Sequence, residues 1–370
     1  MNSIKHTYFN ILRNYLWKDS ASVEGMENWD DVIRLAATQG TLPLLADFAL
    51  KQKENAGPSV QQKMQMRQMV MQNMLHRQKL HIYLRLVKEC LDNAGIPFVV
   101  LKGDGLAALH PNPDMRIMSD VDIWVGQERF HEACHVLRTL PDVLTEDKQE
   151  EEGTRHFNLH WENAQYVIEV HPVTHAFPSK KENAHYQEWE KTNILHPQLT
   201  ILLNDEQYNI PPCEFNVFYV FLHMWHHYLD KGLHVKQMID WVLVLHDYAK
   251  NQSQQYNQQL CEELKFYHLI EPWQAFGWVA VNYLGLPANE MPRYNDDKRT
   301  KHQAELLLNY MLSGNQRLYL NQKKRGSGML HKLVTIRFMW LDYRTTRQIF
   351  PAYARYHLWS SACNSIKRML

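Results

Sequence analysis

The chain has 370 residues, 45% of them apolar and 22% charged, the composition of a globular protein large enough to bury a core without covalent staples. Forty basic residues balance forty acidic ones, so no net charge draws the molecule toward nucleic acid or a membrane surface. The five cysteines, Cys90, Cys134, Cys213, Cys261 and Cys363, are odd in number, widely spaced and without a CxxC pair, which excludes a disulfide framework and a thiolate zinc site and fits a reducing cytoplasm.

The first segment, MNSIKHTYFNILRNYLW, lacks the basic-then-apolar order of a secretory leader. No run of 18 apolar residues follows it, so no membrane span and a cytoplasmic location are expected. Residues 1–95 read as a helical region. WDDVIRLAATQGTLPLLADFAL has helical apolar spacing broken near Gly40 and Pro43. VQQKMQMRQMVMQNMLHRQKLHIYLRLVKECLDNAG has no Gly or Pro before Gly95 and is rich in helix formers, with Gly95 placed as a left-handed cap. Its methionines are expected in core packing, because Met fills irregular gaps.

The texture changes at Ile96, and residues 96–198 read as the core of an α+β fold. PFVVLKG is a buried strand, DGLAALH a turn or two of helix, and PNPD a turn. SDVDIWV alternates polar and apolar residues and reads as a second strand, followed by the amphipathic helix GQERFHEACHVLRTL. RHFNLHW and QYVIEVHPV read as two more strands, turning near Asn163 and Ala164. From 199 to 370 the pattern is helical again, with strong periodicity in CEFNVFYVFLHMWHHYLDKGLHVKQMIDWVLVLHDYAK.

The segment MRIMSDVDIW carries the chemistry. Alternate residues of a strand share a face and lie about 6.6 Å apart, so Asp120 and Asp122 can lean onto one cation while Val121, Ile123 and Val125 enter the core. Such oxygen ligands suit Mg2+ or Mn2+. Glu169, on the later strand VIEVH, can supply a third carboxylate. Upstream, Gly103 lets the backbone approach a phosphate, and Lys102 and Arg116 are the nearby cations that phosphoryl transfer requires. Arg116 has a rival role as the partner of Asp114.

Together these residues resemble the nucleotidyltransferase superfamily related to DNA polymerase beta, and more closely the uncharacterised nucleotidyltransferase family found in many bacterial genomes. The matching pieces are Leu101-Lys102-Gly103, then Arg116 with Asp120 and Asp122, then Glu169-Val170-His171, and in the helical half His223, His227, Lys236 and Asp240. The resemblance runs from about Trp29 into the C-terminal helices. It implies a mixed-sheet nucleotidyltransferase core flanked by helical regions. It implies Asp120, Asp122 and Glu169 as catalytic metal ligands, and Lys102, Gly103, Arg116 and Ser119 as phosphate contacts. His171, His223, His227, Lys236 and Asp240 would form the acceptor side of the cleft. The substrate would be a nucleoside triphosphate with Mg2+ or Mn2+, and the acceptor a sugar, a small metabolite, a protein side chain or an RNA end. Zero net charge argues against a large nucleic acid. Rival readings are a binding protein that keeps the fold without turnover and a toxin- or antitoxin-type macromolecule modifier.

The chain departs from the family pattern in two places. The superfamily's Gly-Ser turn is Gly103-Asp104 here, which removes a phosphate-facing hydroxyl, and a usual arginine is Lys236, which cannot make a bidentate fork to phosphate. His223, His226 and His227 share helical spacing, but among 21 histidines such pairs arise by chance, and a cleft or core role is preferred to a metal site. From Lys323 onward ten basic residues face one acidic residue, Asp342. That segment can touch an anionic surface, although solvated or paired bases on a packed helix are the preferred reading.

Overall fold

The computed structural model describes residues 2–19, 29–52, 57–145, 156–177, 179–195, 199–250, 254–313, 340–341 and 343–356. Most of the basic C-terminal segment therefore lies outside the described residues. The chain divides into two compact units. One comprises residues 42–176 and 183–216; the other comprises 1–41, 177–182 and 217–370.

The first unit contains helices α3 (Leu42–Ala49) and α4 (Val60–Asn93) and a five-stranded sheet. Its strands are β1 (Val99–Val100), β2 (Val121–Trp124), β3 (Leu144–Thr145), β4 (Phe157–Trp161) and β5 (Tyr166–His171), in the order β1-β2-β5-β4-β3. Only the β2–β5 pair is parallel; the other three are antiparallel, so the sheet is mixed and the fold is α+β. Between β1 and β2 comes the short helix α5 (Lys102–Ala107), and after β2 comes α6 (Phe130–Leu137). Glu162, Asn163 and Ala164 all have positive φ and make the turn joining β4 to β5.

Strand alternation decides which face is core. Val121, Ile123, Ile168, Val170, Leu159 and Trp161 are buried together with Leu80, Leu84, Val87 and Leu91 of α4 and Phe130, Cys134 and Leu137 of α6. The 4-3-4 spacing of the α4 residues is one helical stripe, the geometry needed to lie along a sheet. Helix α4 begins with a capping box between Ser59 and Gln62 and ends where Gly95 takes φ +63°.

Two expectations need correction. Of the α4 methionines, Met66 is buried, but Met64 and Met71 are 70% and 64% exposed and Met74 is also exposed, because this part of a 34-residue helix turns its second flank outward. The chain also does not become helical at 199. Strands β6 (Thr200–Leu203) and β7 (Glu206–Asn209) form a hairpin. Its two-residue turn, Asn204-Asp205, has φ of 47° and 66°, the left-handed pair that suits strand twist. Leu203 and Tyr208 add to the sheet core.

Helix α7 (Lys180–Asn193) begins in the second unit and continues into the first, and α8 (Cys213–His226) begins in the first and continues into the second. The second unit is built from α1 (Asn2–Trp17), α2 (Trp29–Thr38), most of α8, a π-helical turn at His227–Lys231, α9 (Val235–Lys250), α10 (Gln254–Phe266), α11 (Ile270–Asn282) and α12 (Lys298–Leu312). Its centre is aromatic: Phe221 and Trp241 each meet Trp273 edge-on, at 4.9 and 5.0 Å between ring centroids. Gln39 ties its segments together, accepting from the Val235 amide at 3.2 Å and donating to the Met311 carbonyl at 3.0 Å. Among the described residues no helix is long and apolar enough to cross a membrane.

Gly40 sits at φ +65°, and a Cβ there would lie 2.7 Å from Cδ and 3.3 Å from Cγ of Lys236. Gly40→Ala is therefore expected to cost about 1–3 kcal/mol through overpacking alone. The shift of the urea midpoint measures this, and no shift would mean that the Lys236 chain moves aside freely.

Candidate active site

The site grows from the exit of β1. The Leu101 amide donates to the Asp122 carbonyl at 2.9 Å, which fastens the end of β1 beside β2. Gly103 follows at φ 48°, ψ −116°, a conformation that residues with a Cβ rarely adopt, and it passes close to the Asp120 carbonyl.

Asp104 explains the departure from the Gly-Ser pattern. Its side chain is fully buried and turned into α4, where it accepts from Arg77 Nε at 3.0 Å and is hydrogen-bonded to His81 Nε2 at 2.8 Å. Burial alone would raise this carboxyl; the His81 hydrogen bond and charge, then Arg77, outweigh that and hold it below its usual value. Arg77 also reaches Asp114 at 3.2 Å, so Asp114 already has a cationic partner other than Arg116. One turn earlier, Asn73 donates to the carbonyls of Asp114 and Arg116 at 3.0 and 3.1 Å. Asn73, Arg77 and His81 are spaced four residues apart, so one stripe of α4 holds both the turn after β1 and the loop before β2. Sequence reading missed this stripe, whose signal was three polar side chains at helical spacing.

The carboxylates come next. Asp122 and Glu169 are direct neighbours in the parallel β2–β5 register and share the sheet face opposite the apolar core. Asp120 stands one residue before β2 and accepts from the Ser119 hydroxyl at 2.9 Å. Asp122 is 2% exposed and meets Lys102 Nζ at 3.2 Å and His171 Nε2 at 2.8 Å. Burial would raise its carboxyl, but the Lys102 ammonium and then His171 hold it well below the usual carboxylate range. Asp120 moves the other way: burial and the charge of Asp122 push it up. Glu169 is held down against its burial chiefly by His171, whose Nε2 is 3.5 Å away. Burial would lower His171, but its bonds to Asp122 and Glu169 raise it, so the ring is favoured as a cation between two anions. Asp120 feels both Asp122 and Glu169, a concentration of like charge that a divalent cation relieves. The oxygen chemistry of the three carboxylates suits a divalent ion, but among the described residues the one set whose ligand atoms lie within 4.8 Å of one another is His156, Glu169 and His171. Sequence reading overlooked His156; its signal was its place in RHFNLHW, at the entry to the strand beside β5.

At the far end of β2, Trp124 Nε1 donates to Glu190 at 3.1 Å, and the Thr174 amide and hydroxyl donate to the same carboxylate. Burial is the main reason the Glu190 carboxyl is pushed up from 4.5 to about 6. A raised carboxyl stabilises the fold fully below its unfolded value and loses that contribution as pH rises through the folded value. Wild-type stability relative to Glu190→Gln should therefore fall between pH 4.5 and about 6. Denaturant midpoints of the two proteins across that window test this, and parallel curves would contradict it.

The family model described as uncharacterised nucleotidyltransferase matches residues 25–273. The chain belongs to that family. No curated protein and no solved structure matches it. The uncharacterised-nucleotidyltransferase match spans the strands bearing Asp122 and Glu169 and also helices α8 and α9. Those helices place His223, His227, Lys236 and Asp240 in the second unit, whereas Lys102, Gly103, Arg116, Ser119, the three carboxylates and His171 are in the first. Within the second unit, the rings of His223 and His227 meet edge-on at 4.5 Å, the Lys236 amide donates to the Gln39 carbonyl at 3.3 Å, and Asp240 is buried within α9.

Proposed function

We propose that this protein is a divalent-metal-dependent nucleotidyltransferase that moves a nucleoside monophosphate from a triphosphate to an acceptor hydroxyl. The observation that carries the reading is the parallel register of Asp122 with Glu169, beside Asp120 and Lys102. Asp120, Asp122 and Glu169 would hold the cation, Mg2+ or Mn2+ by their oxygen chemistry. When bound, such an ion neutralises charge on the phosphates and orients them for in-line attack. Lys102 lies against Asp122 and can exchange that partner for a phosphate oxygen. Gly103 removes a Cβ from the phosphate approach, while Ser119 orients Asp120 and Arg116 adds a second cation. Glu169 is kept ionised by its neighbours, so it can accept the proton of the acceptor hydroxyl. On the family resemblance, His171 in the first unit and, separately, His223, His227, Lys236 and Asp240 in the second are assigned to acceptor choice, and the acceptor stays a sugar, a small metabolite, a protein side chain or an RNA end.

The test is incubation with each labelled triphosphate and Mg2+, with and without cell extract, beside the double variant Asp120→Asn, Asp122→Asn. Wild type should bind nucleotide in a metal-dependent way and label a product, whereas the variant should do neither while staying folded. Equal nucleotide and metal affinity in the two proteins, by calorimetry, would remove the assignment. Binding without product would favour the non-catalytic scaffold.

A further inference from the structure

His156 has no task in the magnesium chemistry proposed above, which is served by oxygen ligands. His156 immediately precedes β4, and its neighbour Phe157 pairs with Val170, so His156 and His171 face each other across the antiparallel β4–β5 ladder. Their ring centroids are 5.5 Å apart. Glu169 projects from the same face of β5, two residues before His171. One donor atom from each residue lies within 4.8 Å of the others, and all three residues are partly buried. The edges of a zinc coordination tetrahedron are about 3.3 Å, from bonds of about 2.0–2.1 Å, so modest side-chain rotation closes the set. His171 Nε2 meets Asp122 at 2.8 Å and lies 3.5 Å from Glu169, so a cation entering this set takes the place of the ring proton shared with those carboxylates.

We propose that His156, Glu169 and His171 form a second cation site, an imidazole–imidazole–carboxylate set that takes a borderline first-row divalent ion in preference to Mg2+. Two imidazoles with one carboxylate match the preferences of Zn2+, Co2+ and Mn2+, and three protein ligands leave positions open for water or substrate. Glu169 then belongs to both donor sets, with the aspartates on one side and the histidines on the other. The inference deepens the nucleotidyltransferase reading by giving its site a second kind of ion, and it rests on that reading only for the role of the adjoining carboxylates.

Co2+ titration of the metal-free full chain, read by visible d–d absorption, tests the proposal without any turnover. Wild type should bind one Co2+, displaceable by Zn2+ and not by equimolar Mg2+. His156→Ala should weaken this binding more than about tenfold, a loss typical even of outer-shell changes at metal sites. His156→Asn serves as a second variant should the alanine form fail to fold. Asp120→Asn should keep the Co2+ spectrum, because Asp120 is not in the donor set. Equal Co2+ affinity in wild type and a folded His156 variant, or no Co2+ binding in wild type, overturns the site. Normal Co2+ binding without any nucleotide binding would instead leave the site standing and remove the transferase reading.

Discussion

Glu169→Gln is expected to lower turnover by about 10²–10⁴-fold, the range typical of a positioned general base. The substitution keeps shape and removes charge. Glu169 sits beside Asp122 in register, and its side chain is 25% exposed, open enough for an acceptor to reach. Nucleotide affinity should change far less, because Asp120, Asp122 and Lys102 remain. Single-turnover kinetics separate the two quantities, since a residue acting only in the transition state lowers kcat with little change in binding. A change in turnover of less than about twofold would place Glu169 among exposed charges that contribute little. Parallel losses in binding and rate would leave it a metal ligand and remove its role as base.

Asp104→Ala is expected to cost about 3–5 kcal/mol of folding stability, the range for removing one partner of a buried ion pair. The carboxylate is fully buried, and its loss leaves Arg77 and His81 without it. Denaturant unfolding measures the cost, and a loss under about 1 kcal/mol would mean that water or Asp114 takes over the guanidinium. The pH dependence has a defined sign. A depressed carboxyl contributes stability above its unfolded value, here 3.8, and loses it as pH falls through the lower folded value. The stability gap between wild type and Asp104→Ala should therefore close in acid below that value. At neutral pH, under conditions where the variant stays folded, nucleotide affinity should also fall, because Asp104 is the contact by which α4 holds the Lys102–Gly103 turn, and an affinity equal to wild type would mean that the turn keeps its place without it.

Strand periodicity made much of this legible. The alternation of SDVDIWV separates Asp122 from Val121, Ile123 and Val125, and the same logic puts Glu169 on the polar face of its strand. Gly95 was readable as a helix end because only a left-handed residue closes α4 there. What periodicity cannot supply is which strands become neighbours. The parallel pairing of β2 with β5 depends on a crossover through α6 and β4, so periodicity placed Glu169 on a strand without showing that the strand lies beside Asp122. His156 escaped for the same reason, since its partner is set by an antiparallel register. The β6–β7 hairpin was obscured by short strands: four residues are too few to show alternation, and Asn204-Asp205 was its only local mark. The spacing of Asn73, Arg77 and His81 does not say what lies against that side of the helix. Only the tertiary fold turns Asp104 and Asp114 toward it.

That stripe sets the separation of two loops by helix pitch. Asn73 and His81 are eight residues apart on one rigid helix, a span of about 12 Å along its axis. The turn after β1 and the loop before β2 are measured against this ruler rather than against each other. The chain joining them, from Gly105 to Pro113, could therefore drift in length or composition without altering the distance between the lysine turn and the first aspartate. A one-residue insertion within α4 between Arg77 and His81 would act in the opposite way: it would rotate the two anchors out of line by about 100° and dislocate both loops at once.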